Sequence, residues 1–120
     1  MNEKNAKYFD LEKFELAKEK KPFFINTGRG GTVVEDDLIR ALDLGWLRGA
    51  GLDVLTSENV NFDELGLLGR DNVIITPHAA FYSEQSAKDL QDIACDSVIY
   101  AMTGEYDRVS WIVNRKELNI

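Results

Sequence analysis

The sequence predicts an α/β fold: a parallel sheet of three strands with helices on both faces. Two observations predict it. Helix and strand signals alternate in the order αβαβ, followed by a third strand and a long helix. The strand segments are also apolar throughout, the mark of parallel strands covered on both sides, instead of alternating apolar with polar residues. With 120 residues and 44% hydrophobic content the chain can bury one small core, so a single domain over residues 1–120 is expected.

Asp10 is placed to cap a first helix whose apolar residues Leu11, Phe14 and Ala17 recur at three-residue spacing. Lys18, Lys20 and Lys21 complement its carboxyl end, and Pro22 stops it. Phe23 to Asn26 reads as a short buried strand. Val34, Leu38, Ile39 and Leu42 then form one face of a second helix, with Glu35, Asp36 and Asp37 in its first turn and Gly45 placed to end it. Residues 49–54, "GAGLDV", read as the second strand, and 72–77, "NVIITP", as the third. Between them, residues 55–71 are irregular, with Leu65, Leu67 and Leu68 expected to tuck against the body. Ser83 is a cap for the longest helix, on which Ala87, Leu90, Ala94, Val98 and Ala101 make an apolar stripe ending near Gly104. The expected core covers about residues 8–104, with 105–120 as a carboxyl-terminal tail.

A formal charge of −7 opposes binding to phosphate backbones and anionic lipid, so neither a nucleic acid nor a membrane is expected as a partner. Cys95 is the single cysteine, which excludes an internal disulfide, and its neighbours Ile93 and Ala94 suggest a packed helix face. The amino terminus has no apolar stretch of the signal-peptide kind, and no run approaches the roughly 18 apolar residues of a membrane span. A cytoplasmic location and no metal site are expected.

Open parallel sheets bind ligands beyond the carboxyl ends of their strands. Arg29 follows the first strand, Asp53 closes the second with Glu58 shortly after, and His78 follows the third. Taken singly, each has a common structural reading: a solvated charge, a turn residue, a structural histidine. Together they suit hydride transfer to a carbonyl. A histidine exchanges a proton with the developing alkoxide near neutral pH. A carboxylate at Glu58 would raise the basicity of that imidazole, and the planar fork of Arg29 matches the carboxylate of a 2-oxo acid. Asp53 would sit near the nicotinamide or ribose of a cofactor. Gly28, Gly30 and Gly31 would let the backbone turn sharply beside a flat ring.

The stretch "INTGRGGTVVEDDLIRALDLGWLRGAGLDV", then Glu58, then "NVIITPHAAFYSEQS" resembles the D-isomer-specific 2-hydroxyacid dehydrogenase family, over about residues 8 to 114. The resemblance implies that Arg29 binds the substrate carboxylate and that Glu58 pairs with the proton donor His78. It also implies that Thr27, Gly28, Asp53 and Ala80 face the nicotinamide half of NAD. Phe81 and Tyr82 are most like the D-lactate dehydrogenase branch. Two departures stand out: Asn59 occupies the place where the family usually has proline after the glutamate, and no G-x-G-x-x-G turn occurs in the chain. The family's acidic residue on the adenine ribose and its substrate domain have no counterpart either. The resemblance therefore implies a partial Rossmann-like, doubly wound sheet without its first mononucleotide half, its tail returning toward a substrate domain. The expected function is that of a fragment of an NAD-dependent D-2-hydroxyacid dehydrogenase acting on a small 2-oxo or 2-hydroxy acid, in a homodimer or higher oligomer. The isolated chain is expected to bind NAD weakly or not at all. Two alternatives stand beside this reading: a related activity on phosphoglycerate or another bulky 2-hydroxy acid, and a non-catalytic α/β remnant that folds and self-associates.

Overall fold

In the computed structural model, three strands lie parallel in the order β1 (Phe23–Asn26), β2 (Gly49–Leu52) and β3 (Val73–Ile75). The structure describes residues 4–57 and 66–119. It divides into two compact units, Met1–Ala80 and Phe81–Ile120.

In the first unit, α1 (Leu11–Glu15) begins where Asp10 accepts a hydrogen bond from the Lys13 N–H at 3.0 Å. It ends well before Pro22, shorter than its periodicity predicts. Phe14 is its one buried side chain, and Leu16 is exposed. Beyond Phe14 the sequence brings lysines and glutamates that bury nothing, so the chain proceeds through turns. Helix α2 (Glu35–Asp43) buries Leu38, Ala41 and Leu42, and Gly45 leaves it at φ +67°, a conformation glycine adopts without cost. Asp37 on α2 accepts from the Leu11 N–H at 3.0 Å, which ties the two helices together.

The register pairs Phe24 with Ala50 and Val73, and Asn26 with Leu52 and Ile75, on the side where the core lies. There Phe14, Leu38, Ala41, Leu42, Ala50, Leu52 and Leu67 form one cluster, with Phe14 edge-on to Phe24 at 5.2 Å between ring centres. The alternate residues Phe23, Ile25 and Ile74 face the other way, and Ile25 and Ile74 are each 70% exposed. Within the first unit both helices pack on one face of the sheet, because the apolar stripes of α1 and α2 meet in a single cluster. Of the three leucines expected to tuck in after β2, Leu67 is fully buried and Leu68 is about half exposed; Leu65 lies outside the described residues.

The second unit consists of α3 (Glu84–Thr103) and the residues on either side of it. Ser83 accepts from the Ser86 N–H at 3.1 Å, and Gly104 closes the helix at φ +78°. No side chain of α3 is buried. Cys95 is exposed, which corrects the expectation of a packed helix face. The only element of this unit packed on α3 among the described residues is a short 3-10 turn at Tyr106–Arg108, where the Arg108 guanidinium lies 4.0 Å from the Tyr100 ring centre. Such a turn is too small to cover the apolar stripe. No described helix is long and apolar enough to cross a membrane.

Candidate functional site

The carboxyl ends of the three strands are laced together by main-chain bonds. The Asp53 N–H donates to the Asn26 carbonyl at 2.9 Å, and the His78 N–H donates to the Asp53 carbonyl at 2.9 Å. Each strand end thus holds its neighbour, and the turns that leave them share one edge of the sheet.

After β1, the buried side chain of Asn26 organises the turn. Its Oδ1 accepts from the Gly28 N–H at 3.0 Å, and its Nδ2 donates to the Arg29 carbonyl at 3.1 Å. Gly30 is buried against the chain after β2: a Cβ built on it would lie 2.0 Å from the Leu55 carbonyl group, so only glycine fits. That chain is held from the other side by Glu35, whose Oε1 accepts from the Thr56 N–H at 2.6 Å. The Arg29 side chain is exposed, its Nη1 donating to the Gly28 carbonyl at 2.8 Å.

After β3, the turn 76–80 is wrapped around one carboxylate. Asp53, only 5% exposed, accepts from the Thr76 hydroxyl and from the Ala79 N–H at 2.8 Å through Oδ1, and from the Ala80 N–H at 2.9 Å through Oδ2. The Thr76 hydroxyl, with help from the two N–H groups and the nearby His78, holds the Asp53 carboxyl below the usual carboxylate range against the opposing effect of desolvation. This wrapping carries His78 at φ +54°, in the left-handed region that a non-glycine residue seldom occupies.

The two turns meet on a cavity of about 620 Å³. Arg29, Gly30, Asp53 and His78 line it together with Val54, Leu55, Leu68, Ile75 and Pro77. The structure therefore brings together three of the residues singled out in the sequence, Arg29, Asp53 and His78. Thr27 and Gly28 stand in the same turn as Arg29, and the Ala80 N–H is bound to Asp53, but none of these three lines the cavity. Glu58 lies outside the described residues. Sequence reading passed over Asn26, Thr76 and Glu35 as organisers of the site. An Asn two residues before a glycine at a strand end was the available signal for the first, since Asx side chains commonly bond the backbone two residues on. Chemically, a cation and an imidazole at the rim of a partly apolar cavity suit a small anion that exchanges a proton.

A parallel sheet whose site lies beyond its strand ends is the architecture of a Rossmann-like nucleotide domain. The chain belongs to the D-isomer specific 2-hydroxyacid dehydrogenase family: the family's NAD binding domain matches residues 1–80. It is 42% identical over 89 residues to a hydroxypyruvate reductase of Blautia hydrogenotrophica, covering 73% of this chain and 27% of that protein. It is 36% identical over 101 residues to a probable 2-ketogluconate reductase of Dictyostelium discoideum, covering 84% and 30%. Among solved structures it is similar to a probable 2-hydroxyacid dehydrogenase from Rhizobium etli in complex with NADP, HEPES and L(+)-tartaric acid, with a TM-score of 0.77, 30% identity and coverage of 98% of this chain and 37% of that one. It is also similar to a D-lactate dehydrogenase with NAD+ from Lactobacillus jensenii, with a TM-score of 0.71, 27% identity and coverage of 94% and 37%. The chain thus spans less than a third of the length of these two curated relatives.

NAD is the cofactor of this domain family. The residues present fit one end of it. Val54, Leu55, Ile75 and Pro77 give the cavity apolar walls suited to a flat ring, and the glycine turn at 28–31 lets backbone approach. The 120 residues contain no G-x-G-x-x-G turn to hold the pyrophosphate.

Proposed function

We propose that this chain carries the substrate-facing part of an NAD-dependent oxidoreductase that interconverts small D-2-hydroxy acids and 2-oxo acids. The convergence of Arg29 and His78 on one cavity beyond the strand ends carries this reading. NAD, when bound, exchanges a hydride with the carbon that bears the reacting oxygen. The guanidinium of Arg29 leaves the Gly28 carbonyl and pairs through both arms with the substrate carboxylate, which orients the 2-oxo group. The imidazole of His78 gives a proton to the carbonyl oxygen during reduction and recovers it during oxidation. Glu58 is assigned to pair with that imidazole and favour its protonated form. Thr27, Gly28, Asp53 and Ala80 are assigned to the nicotinamide side, where Asp53 acts through the turn it holds, since both of its oxygens are engaged there. The working protein is proposed to be a cytoplasmic homodimer or higher oligomer, of which this chain is a fragment.

NADH oxidation by the purified protein carrying this sequence, with pyruvate, hydroxypyruvate and 2-ketogluconate, tests the assignment. Turnover with at least one of them to a D product, lowered by about 10²–10⁴-fold in His78→Ala, is expected. Equal turnover by wild type and His78→Ala would overturn it. A second reading, a non-catalytic module that self-associates, is favoured by the exposed Ile25 and Ile74. The coding sequence upstream of Met1 separates the two: an in-frame glycine-rich strand, turn and helix supports the enzyme, and a stop codon supports the module.

A further inference from the structure

We infer that Asn26 is a positioning residue for Arg29, setting the frame from which the guanidinium reaches a substrate carboxylate; the inference rests on Arg29 being the carboxylate anchor. Asn26 ends β1 on the core side of the sheet, beside Leu52 in register, and is 9% exposed. A polar amide among apolar neighbours is unfavourable unless both its ends are bonded. Here both ends bond one short turn: Oδ1 accepts from the Gly28 N–H at 3.0 Å and Nδ2 donates to the Arg29 carbonyl at 3.1 Å. An ordinary Asx turn needs the first bond only. The second reaches the anchor residue itself.

Thr32 converges on the same Arg29 carbonyl, its hydroxyl donating at 2.7 Å and its N–H at 3.2 Å. The Thr27–Gly28 and Arg29–Gly30 peptide groups are therefore held, one on each side of Arg29, and Gly30 is wedged against Leu55 and Thr56 behind them. Arg29 keeps an extended backbone at φ −142° and ψ 132°, and its remaining freedom lies in its side-chain torsions. A carboxylate read by a planar fork requires such a fixed base, because misplacement by about 1 Å can cost on the order of 100-fold in rate.

Asn26→Ser tests this without adding charge. The serine hydroxyl can still accept from the Gly28 N–H but is too short to span to the Arg29 carbonyl. Thr32→Val removes a second donor from the same carbonyl and leaves the core untouched, so it decides the matter alone if Asn26→Ser does not fold. The first readout is the Arg29 Nε–H nuclear magnetic resonance signal of the 120-residue chain, titrated with pyruvate and with neutral pyruvamide. Pyruvate is expected to shift the wild-type signal, pyruvamide is not, and both variants should need about tenfold more pyruvate. The second readout is the ratio of kcat/KM for pyruvate over pyruvamide in the NADH assay, expected to fall about tenfold with the pH profile of kcat unmoved. A merely structural lesion lowers both substrates together and leaves the ratio alone. Wild-type and variant signals that move at the same pyruvate concentration overturn the role of Asn26 while sparing Arg29. A wild-type signal that pyruvate does not move removes Arg29 as the anchor, and this inference with it.

Discussion

His78 illustrates how a single residue is held by its surroundings. Its left-handed backbone is unfavourable for a side chain of this size, yet its N–H is bonded to the Asp53 carbonyl, and the Asp53 carboxylate fastens Ala79 and Ala80 beyond it. Replacing the imidazole by a methyl group should leave that backbone in place. His78→Ala is therefore expected to lower turnover by about 10²–10⁴-fold while leaving the dissociation constant for NADH nearly unchanged; a stopped-flow titration beside the steady-state assay checks the pair. Asp53 supplies the complementary prediction about stability. Its carboxyl is held below its ordinary value chiefly by the Thr76 hydroxyl, so its contribution is fully present above the unfolded-state pKa of about 3.9 and is lost as pH falls through the lower folded value. Urea unfolding of the first unit should show stability falling below about pH 4. Asp53→Asn should flatten that acid limb, and an unchanged limb would remove Asp53 as its source.

At the scale of elements, the site depends on backbone meeting backbone where strands end. Gly28 and Gly30 flank Arg29 and look equivalent in the sequence, but their surroundings differ. A Cβ at Gly28 would meet Asn26 Oδ1 at 3.5 Å, an ordinary contact, whereas one at Gly30 would fall 2.0 Å from the Leu55 backbone. Gly30→Ala should therefore destabilise the first unit by about 1–3 kcal/mol, the usual cost of forcing a packed site apart. Gly28→Ala should be nearly neutral. Denaturant melts of the two variants measure the contrast, and equal midpoints would mean that the turn can drift away from Leu55. The same logic explains why α1 stops early: an element persists only as far as it buries something, and α1 has Phe14 alone.

On the scale of the molecule, each unit taken by itself carries apolar side chains that it does not bury. Phe23, Ile25 and Ile74 lie on the face of the sheet away from the first unit's core, and Leu90, Ile93, Val98, Ile99 and Met102 lie uncovered on α3 within the second. Surface of this kind marks an interface. The 120-residue chain is expected to self-associate, with a molar mass by light scattering that rises with concentration, and Ile25→Lys with Ile74→Lys should shift it toward the monomer. A wild-type chain that stays monomeric at high concentration contradicts this. NAD should bind the chain with a dissociation constant above about 1 mM, because the pyrophosphate turn that gives dinucleotide domains much of their affinity is not among these residues. Calorimetric titration decides it, and tighter binding would mean that the cavity holds more of the cofactor than one ring.

The sequence by itself determined the elements and the sheet edge on which the candidate site lies. Apolar runs at 23–26 and 73–75, a two-turn apolar stripe on α2 and capping signals at Asp10, Ser83 and Gly104 are local, and local signals are legible without the fold. The placing of Arg29 and His78 on one cavity was legible too, because parallel strands send their carboxyl ends to one edge. Tertiary structure alone decided the rest. That Phe23, Ile25 and Ile74 face away from the core follows from the parity of the strand register. That Asp53 commits its oxygens to the turn of His78 depends on bonds between groups brought together only when the strands align, whereas Asn26 holds Arg29 through bonds local to its own turn. Composition and spacing name the residues that can make such bonds; the folded backbone selects which of them do.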